Sequence, residues 1–379
     1  MMLAQPILTS PTARLLAWYD VHKRVLPWRA LSGDMPDPYH VWLSEIMLQQ
    51  TTVASVIPYF ITFLQLFPTL KALADAPTEQ VMRAWAGLGY YSRARNLHHC
   101  AQELIRDYQG QFPKSAQELR ALSGIGDYTS AAIAAIAFGE PIVAVDGNVE
   151  RVISRFYALS TPLPAGKAMV RQKAQALMPT PDQNKASLCG DMVQALMELG
   201  ATICTPKNPA CDVCPWHIDC MAYALQTPTA YPLKKPKKPA QNRFGIAYVA
   251  TRGEAHDCEV LLRTRPPKGL LGGMAEVPTT DWTSKNASEP EILSQPECAP
   301  IENMASCNDQ NKSQWELCDG QIKHVFTHIT LRLYIKKAHF HNHTPALDGM
   351  RWVKLCDLTH EPLSTLMKKV LNHAQIGGV

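Results

Sequence analysis

The sequence has no long hydrophobic segment. Its longest apolar run, residues 131–138, is too short to cross a bilayer. The first residues also lack the basic stretch and apolar core of a secretory signal. These absences predict a cytoplasmic protein with no membrane partner.

Charged residues are scarce as well, at 18% of the 379 residues, while hydrophobic residues make up 46%. This balance excludes a disordered chain and predicts two or three globular domains. The 37 basic and 33 acidic residues leave a net charge of only +4. Such a small excess permits a polyanionic partner without proving one.

The eleven cysteines are an odd number, which argues against a disulfide framework in a reducing compartment. Four of them share the spacing Cys-x6-Cys-x2-Cys-x5-Cys, at Cys204, Cys211, Cys214 and Cys220. Thiolates this close repel one another unless a cation neutralises them, so the spacing predicts a metal centre. It favours an iron–sulfur cluster over zinc, because only Cys211 and Cys214 form the short pair that zinc sites use twice.

The hydrophobic period divides the chain into two parts. Residues 1–225 show helical spacing in seven segments, at 13–25, 41–66, 78–87, 93–108, 129–138, 149–157 and 188–199. Residues 226–242 are rich in proline and lysine and predict a linker. Residues 243–379 show strand-like segments at 243–251, 259–263, 329–335 and 352–355, which predict a smaller α+β domain.

A glycine turn precedes the alanine-rich segment at 129–138. Gly124 and Gly126 lie two residues apart, which allows a tight turn with exposed backbone N–H groups at the start of a helix. A helix N-terminus favours an anion, so a phosphate could bind there. An ordinary corner between two helices explains the turn equally well when it is taken alone.

Two carboxylates lie in contrasting sequence contexts. Glu45 is the single acid in the apolar segment around Trp42 and Met47, where burial should raise its pKa and suit it to general acid catalysis. Asp146 precedes a periodic segment as an N-cap would, which should lower its pKa. Glu45 could instead face solvent, and Asp146 could be only a cap. Together, one protonated and one charged carboxylate are what glycosidic bond cleavage requires.

Several long motifs resemble the adenine DNA glycosylase (MutY) family. These are Leu-Pro-Trp-Arg at 26–29, Trp-Leu-Ser-Glu-Ile-Met-Leu-Gln-Gln-Thr at 42–51, Gly-Leu-Gly-Tyr-Tyr-Ser-Arg-Ala-Arg-Asn-Leu at 87–97, and Val-Asp-Gly-Asn-Val-x-Arg-Val at 145–152. The cysteine spacing resembles the iron–sulfur loop of the wider endonuclease III superfamily, where Lys207 would meet DNA phosphates. The turn at Gly124 and Gly126 resembles that superfamily's helix-hairpin-helix motif.

The resemblance implies a role for individual residues. Glu45 would be the catalytic acid and Asp146 the carboxylate that stabilises the cationic sugar. Gln49 and Tyr90 would enter the base stack beside the mispair, and Arg29 would contact the substrate. Endonuclease III carries a nucleophilic lysine where this chain has Tyr128, so a monofunctional glycosylase is implied.

The C-terminal part resembles the family's Nudix-like domain. Residues 269–273 match a Gly-Leu-Trp-Gly-Gly stretch, with Leu271 in place of tryptophan. The glutamate-rich helix of Nudix hydrolases is missing from the sequence, so pyrophosphatase activity is not expected. The loop that senses 8-oxoguanine would comprise Phe326, Thr327 and His328, with Thr327 in place of the usual serine.

These observations predict an all-α helix-hairpin-helix glycosylase domain over residues 1–225, with the hairpin at 115–139 and a [4Fe–4S] loop at 204–220. A linker at 226–242 and an α+β Nudix-like domain at 243–379 follow. The predicted protein is a monomeric, nucleoid-associated enzyme of bacterial type. It excises adenine from 8-oxoguanine:adenine or guanine:adenine mispairs in double-stranded DNA. The alternatives are a glycosylase for another mismatched base and a non-catalytic iron–sulfur DNA sensor.

Overall fold

The structure is a computed structural model. It describes residues 10–30, 36–180, 187–234, 240–254, 257–266, 269–283, 301, 315–326 and 328–376. The chain forms two compact units. The first contains residues 1–84 and 93–236, and the second contains residues 85–92 and 237–379.

The first unit is helical. Its helices are α1 (Pro11–His22), α2 (Pro38–Leu48), α3 (Val53–Leu66), α4 (Leu70–Asp75), α5 (Thr78–Ala84), α6 (Ser92–Tyr108, whose first residue is counted with the second unit), α7 (Ala116–Leu119), α8 (Asp127–Phe138), α9 (Gly147–Phe156), α10 (Lys167–Gln175), α11 (Leu188–Thr202) and α12 (Met221–Ala224). Serine, threonine or aspartate side chains cap six of them at the N-terminus, at Ser10, Asp37, Thr52, Thr69, Ser115 and Asp146. None of the described helices is long and apolar enough to span a membrane.

The single helix predicted over 41–66 is wrong. The segment is two helices, because Gln50 adopts a positive φ of 56° and the Thr52 side chain caps α3. Arg93 stabilises the end of α2 by donating to the carbonyl oxygens of Ile46 and Met47, at 2.8 and 2.9 Å. The break leaves Gln49 at the C-terminal end of α2.

The second unit is built on a mixed sheet with seven strands among the described residues. They are β1 (Gln241–Arg252), β2 (Glu259–Thr264), β3 (Ala275–Glu276), β4 (Glu316–Leu317), β5 (Ile322–Val325), β6 (Ile329–Phe340) and β7 (Met350–Lys354). The central strands β1 and β6 run parallel from Gln241↔Ile329 to Arg252↔Phe340. β2 pairs antiparallel with β1, β3 and β7, and β6 pairs antiparallel with β4 and β5.

Successive residues of β1 face two separate hydrophobic cores. Ala247 and Val249 pack into one core together with helix α13 (Thr365–His373). Tyr248 and Ala250 pack into the other, beside Phe340 and Leu261. The alternation follows from the two-residue period of a strand. The predicted fold class, a helical domain followed by an α+β domain, is confirmed.

Candidate active site

A cavity of about 800 Å³ opens in the helical unit. Its lining comes from α2, α11 and the first residues of α8 and α9, together with the segment after α1. The volume lies within the range of small-molecule sites, about 300–1,000 Å³. The predicted residues Arg29, Glu45, Gln49, Gly124, Gly126, Tyr128 and Asp146 all line it.

Glu45 is buried in this cavity, with 7% of its surface exposed. Its pKa is raised to about 7, chiefly by burial and to a smaller degree by the nearby Asp146 carboxylate. A hydrogen bond with Tyr128 and the charge of Arg29 act in the opposite direction. A large fraction of Glu45 is therefore protonated at neutral pH, as a general acid requires. The predicted direction of this pKa shift is confirmed.

Asp146 caps α9 and accepts a hydrogen bond from the Val149 amide at 2.7 Å. The Asn148 side chain donates to its second oxygen at 2.9 Å. The predicted N-cap is confirmed, but the predicted direction of the pKa shift is wrong. Burial raises the pKa of Asp146 and outweighs the hydrogen bonds that lower it.

The helix that follows the glycine turn brings two side chains to the cavity. Burial holds the pKa of Tyr128 well above its usual value, so its hydroxyl stays neutral. That hydroxyl also lies 3.7 Å from the sulfur of Met197. The Gln49 side chain donates to the Thr129 hydroxyl at 3.3 Å, which links the end of α2 to the start of α8.

A buried ion-pair cluster forms another wall. Glu198 on α11 is fully buried and pairs with Arg24 and Arg29, with 2.6 Å between Arg29 Nη2 and Glu198 Oε2. Burial favours a higher pKa for Glu198, but the two guanidinium groups outweigh it and lower the pKa. The sequence analysis missed Glu198. No local signal marks it out, because α11 also carries Asp191 and both arginine partners lie far away in the sequence.

Arg151 connects the Asp146 turn to the cysteine loop. Its guanidinium donates to the Asn148 side-chain oxygen at 2.9 Å, to the Gly200 carbonyl at 2.7 Å and to the Cys204 carbonyl at 2.8 Å. Asn148 in turn contacts Asp146. Arg151 and Asn148 were also missed as site residues. The contacts of Arg151 with Gly200 and Cys204 span 49 and 53 residues, so no local pattern contains them.

The glycine turn leaves the start of α8 exposed and without a side-chain cap. Gly124 adopts a φ of +77°, and a Cβ there would lie 2.7 Å from the Asn96 Cβ. Gly126 forms the N-terminal end of α8, which no side chain caps. Both glycines are exposed. Glu103 accepts hydrogen bonds from the Ser123 amide and hydroxyl, at 2.9 and 3.0 Å, and so holds the turn to α6.

Tyr90 lies in a strained turn and is 57% exposed. Its φ is +48°, and Gly87 and Gly89 in the same turn have φ values of 103° and 71°. The indole of Trp85 donates to the Gly89 carbonyl at 3.1 Å. An exposed aromatic ring on a constrained backbone is compatible with the predicted wedge.

Comparison with known proteins decides the family. Residues 43–180 match the profile "HhH-GPD superfamily base excision DNA repair protein", and residues 249–373 match the NUDIX domain profile. The adenine DNA glycosylase of Homo sapiens is 33% identical over 405 residues, covering 94% of this chain and 72% of that protein. The chain belongs to the adenine DNA glycosylase family.

Two further proteins are similar to part of this chain. The adenine DNA glycosylase of Buchnera aphidicola subsp. Schizaphis graminum is 38% identical over 227 residues, covering 59% of this chain and 62% of that protein. A solved thermostable thymine-DNA glycosylase matches with a TM-score of 0.50 and 29% identity, over 56% of this chain and 95% of that one. The predictions of the family and of an N-glycosyl hydrolase in base-excision repair are confirmed.

The four cysteines of this glycosylase follow α11 and lie around Trp216. Cys204, Cys214 and Cys220 pack against the core that contains Trp216, and Arg155 Nη1 lies 3.3 Å from Cys204 Sγ. Among the described residues, no three histidine, cysteine or acidic side chains converge on a single metal ion.

The donor set does fit an iron–sulfur cluster, which uses four thiolates. Burial, together with the neighbouring thiols, raises the pKa of Cys214 to about 12. These thiols would ionise together only around a cationic centre. The backbone carbonyls of Thr205 and Pro206 accept hydrogen bonds from the buried Arg155 at 2.7 and 2.9 Å, which fixes this loop. Lys207, in the same loop, is exposed.

In the second unit of this glycosylase, Phe326 and His328 flank the turn between β5 and β6. Phe326 is half-buried, and its amide donates to the Ile329 carbonyl at 2.7 Å, whereas His328 is exposed. Thr327 and residues 235–239 of the predicted linker lie outside the described residues. Leu271, which replaces the family's tryptophan, packs half-buried against the core with a φ of +58°.

Proposed function

We propose that this enzyme excises adenine paired with 8-oxoguanine or guanine in double-stranded DNA, and that it does so as a monofunctional glycosylase. The observation that carries the proposal is the cavity in which Glu45, with a pKa of about 7, lies near Asp146. The 33% identity to the human adenine DNA glycosylase supports adenine as the base that is removed.

The chemistry begins with a base flipped out of the duplex into this cavity. Glu45 donates its proton to the adenine ring, at N7 by resemblance to the family. The bond between the sugar C1′ and N9 then breaks, and its electron pair leaves with the base. The sugar becomes an oxocarbenium ion, which the ionised Asp146 stabilises. Water adds to C1′ and returns a proton to Glu45.

Tyr128 supports the monofunctional outcome. Its neutral hydroxyl cannot form a Schiff base with the sugar, so no route to strand cleavage through a covalent amine is available at this position. Its hydrogen bond to Glu45 tunes the acid instead. Arg29 is held by Glu198 at the cavity wall, and we assign it a contact with the base.

Contacts with DNA are assigned to four features. The backbone amides at Gly124 and Gly126 hold a phosphate, and the Tyr90 ring enters the stack together with Gln49. A [4Fe–4S] cluster bound by Cys204, Cys211, Cys214 and Cys220 shapes the loop that carries Lys207. Phe326, Thr327 and His328 read the base opposite adenine.

The test is single-turnover base release from a panel of duplexes. The proposal predicts fast release of adenine opposite 8-oxoguanine, slower release opposite guanine, and no strand cleavage without added alkali. Thymine opposite guanine tests the other glycosylase alternative, and duplex binding without an abasic product tests the non-catalytic sensor. Release of thymine but not adenine, or no release at all by iron-loaded protein, would overturn the proposal.

A further inference from the structure

A stacked pair of rings lies beside the turn between β5 and β6. The Trp282 and Phe326 ring centroids are 6.2 Å apart, and their planes differ by 23°. The His324 ring centroid lies 4.6 Å from that of Phe326. Trp282 and Phe326 are both half-buried against the same hydrophobic core. The orientation of Phe326 is therefore tied to that of Trp282.

Arg265 holds the Trp282 ring. Its guanidinium carbon lies 4.8 Å from the ring centroid, in a cation–π contact. Arg265 is itself fixed, because it pairs with Glu276 at 2.6 Å and donates to the Leu270 carbonyl at 3.0 Å. Glu276 is 1% exposed, and it pairs with Arg265 through one carboxylate oxygen and with Arg263 through the other, at 2.9 Å. The position of Arg265 therefore does not vary freely.

The backbone on each side of the pair is fixed as well. Arg243 donates to the Trp282 carbonyl at 2.9 Å, and Thr283 exchanges two hydrogen bonds with Phe244 of β1, each 3.0 Å long. Phe326 is bonded to Ile329 at the start of β6. Because β1 and β6 are paired strands, the sheet fixes the relative position of the two rings.

We propose that Trp282, held by Arg265, is a positioning residue that sets the orientation of Phe326 and thereby determines the preference for 8-oxoguanine over guanine. The inference rests on the proposed role of Phe326 in lesion recognition. An aromatic pair of this kind contributes about twofold to tenfold in an equilibrium constant. Losing it should lower the preference by that factor while adenine excision itself continues.

The same unit contains a matched control. Arg252 lies over the ring of Trp352 at 4.7 Å, and this indole donates to the Thr344 carbonyl at 3.0 Å. Trp352 packs against the other hydrophobic core, beside Phe340, and not against Phe326. Replacing it removes another half-buried indole that lies under an arginine, and it leaves the stacked pair in place.

The experiment compares Trp282→Leu, Trp282→Phe and Trp352→Leu with the unchanged protein. For each protein, the single-turnover rate and the duplex affinity are measured on 8-oxoguanine:adenine and guanine:adenine duplexes. For both quantities, the value for the 8-oxoguanine duplex is divided by the value for the guanine duplex, and this ratio expresses the preference. Thermal unfolding confirms that each variant is folded. Trp282→Leu should lower the ratio about twofold to tenfold. Trp282→Phe keeps an aromatic face and should retain most of it, and Trp352→Leu should leave it unchanged.

A folded Trp282→Leu variant with an unchanged ratio would overturn the inference, and so would an equal loss in Trp352→Leu. Phe326→Ala separates this from the proposed function. If Phe326→Ala leaves the ratio intact, lesion recognition at Phe326 itself fails. If Phe326→Ala lowers the ratio but Trp282→Leu does not, only the positioning role of Trp282 is wrong. Should Trp282→Leu not fold, Arg265→Lys keeps the charge beside Glu276 and should lower the ratio, whereas Arg252→Lys should not.

Discussion

The pKa of Glu45 depends on burial and on three neighbours, Tyr128, Asp146 and Arg29. Desolvation raises its pKa, while the hydrogen bond from Tyr128 favours the charged form and lowers it. The resulting pKa of about 7 leaves Glu45 partly protonated at neutral pH and still able to give up its proton. If Glu45 is the catalytic acid, as proposed, Tyr128 acts on the rate through the pKa of Glu45.

Replacing Tyr128 by phenylalanine should move the pH dependence of the single-turnover rate. The rate requires protonated Glu45, so it falls about tenfold per pH unit above the Glu45 pKa of about 7. Without the Tyr128 hydroxyl that pKa rises, and the alkaline limb moves to higher pH. Tyr157→Phe, which changes a tyrosine outside the cavity lining, should leave the limb unchanged. A shift of the limb to lower pH in Tyr128→Phe would contradict this account.

Asp146 has two separable roles, as a helix cap and as a charge. Asparagine caps helices about as well as aspartate, so Asp146→Asn should keep the thermal stability while the single-turnover rate falls about 10²–10³-fold. Asp146→Ala should lose both the cap and the charge. Its single-turnover rate should fall as in Asp146→Asn, and its free energy of unfolding should be about 1 kcal/mol lower. Thermal denaturation and single-turnover kinetics measure the two effects. An active Asp146→Asn enzyme would show that the charge is not needed.

Among the elements, the glycine turn depends on one glycine more than on the other. Gly124 has a left-handed backbone and no room for a side chain, whereas a Cβ at Gly126 meets no atom within 4 Å. Gly124→Ala should lower the free energy of unfolding by about 1–3 kcal/mol and weaken binding to an undamaged duplex. Gly126→Ala, the matched control, keeps its amide and should change both far less. Equal losses of stability and duplex binding in the two variants would show that backbone strain at Gly124 does not cause them.

The same elements show what a sequence pattern can predict. Glu45 lies on a short apolar helix and Asp146 precedes its own helix, so local patterns were enough to find both. The break between α2 and α3 was missed because Gln50, in a left-handed conformation, leaves the hydrophobic period intact. The Arg29–Glu198 pair joins residues 169 positions apart, and no local pattern contains that contact. The pKa of Asp146 was misjudged for a related reason, since burial by distant segments outweighs its local hydrogen bonds.

For the whole molecule, the cysteine loop connects the end of α11 to the segment that precedes the second unit. Arg155 is buried and bonds to the loop at Cys204, Thr205 and Pro206, and also to the Tyr231 carbonyl at 3.2 Å. Arg151 links the same loop to the Asp146 turn. A cofactor held by this loop would thus support the turn that carries Asp146 at the cavity.

Cys214→Ser should lower the iron and sulfide bound per chain and reduce thermal stability, because one of the four thiolates is lost. Cys356→Ser is the matched control, since Cys356 is exposed and far from the loop in sequence. Metal analysis and thermal denaturation of both variants provide the comparison. Full iron content in Cys214→Ser, or an equal loss in Cys356→Ser, would contradict a cluster at these four cysteines.

The most direct measurement is the single-turnover excision of adenine opposite 8-oxoguanine by Glu45→Gln at neutral pH. Glutamine keeps the size of the side chain but has no proton to donate. The rate should fall by about 10²–10⁴-fold, the usual contribution of a general acid, while affinity for the duplex is retained. A Glu45→Gln enzyme that excises adenine at the original rate would contradict proton donation from this carboxyl.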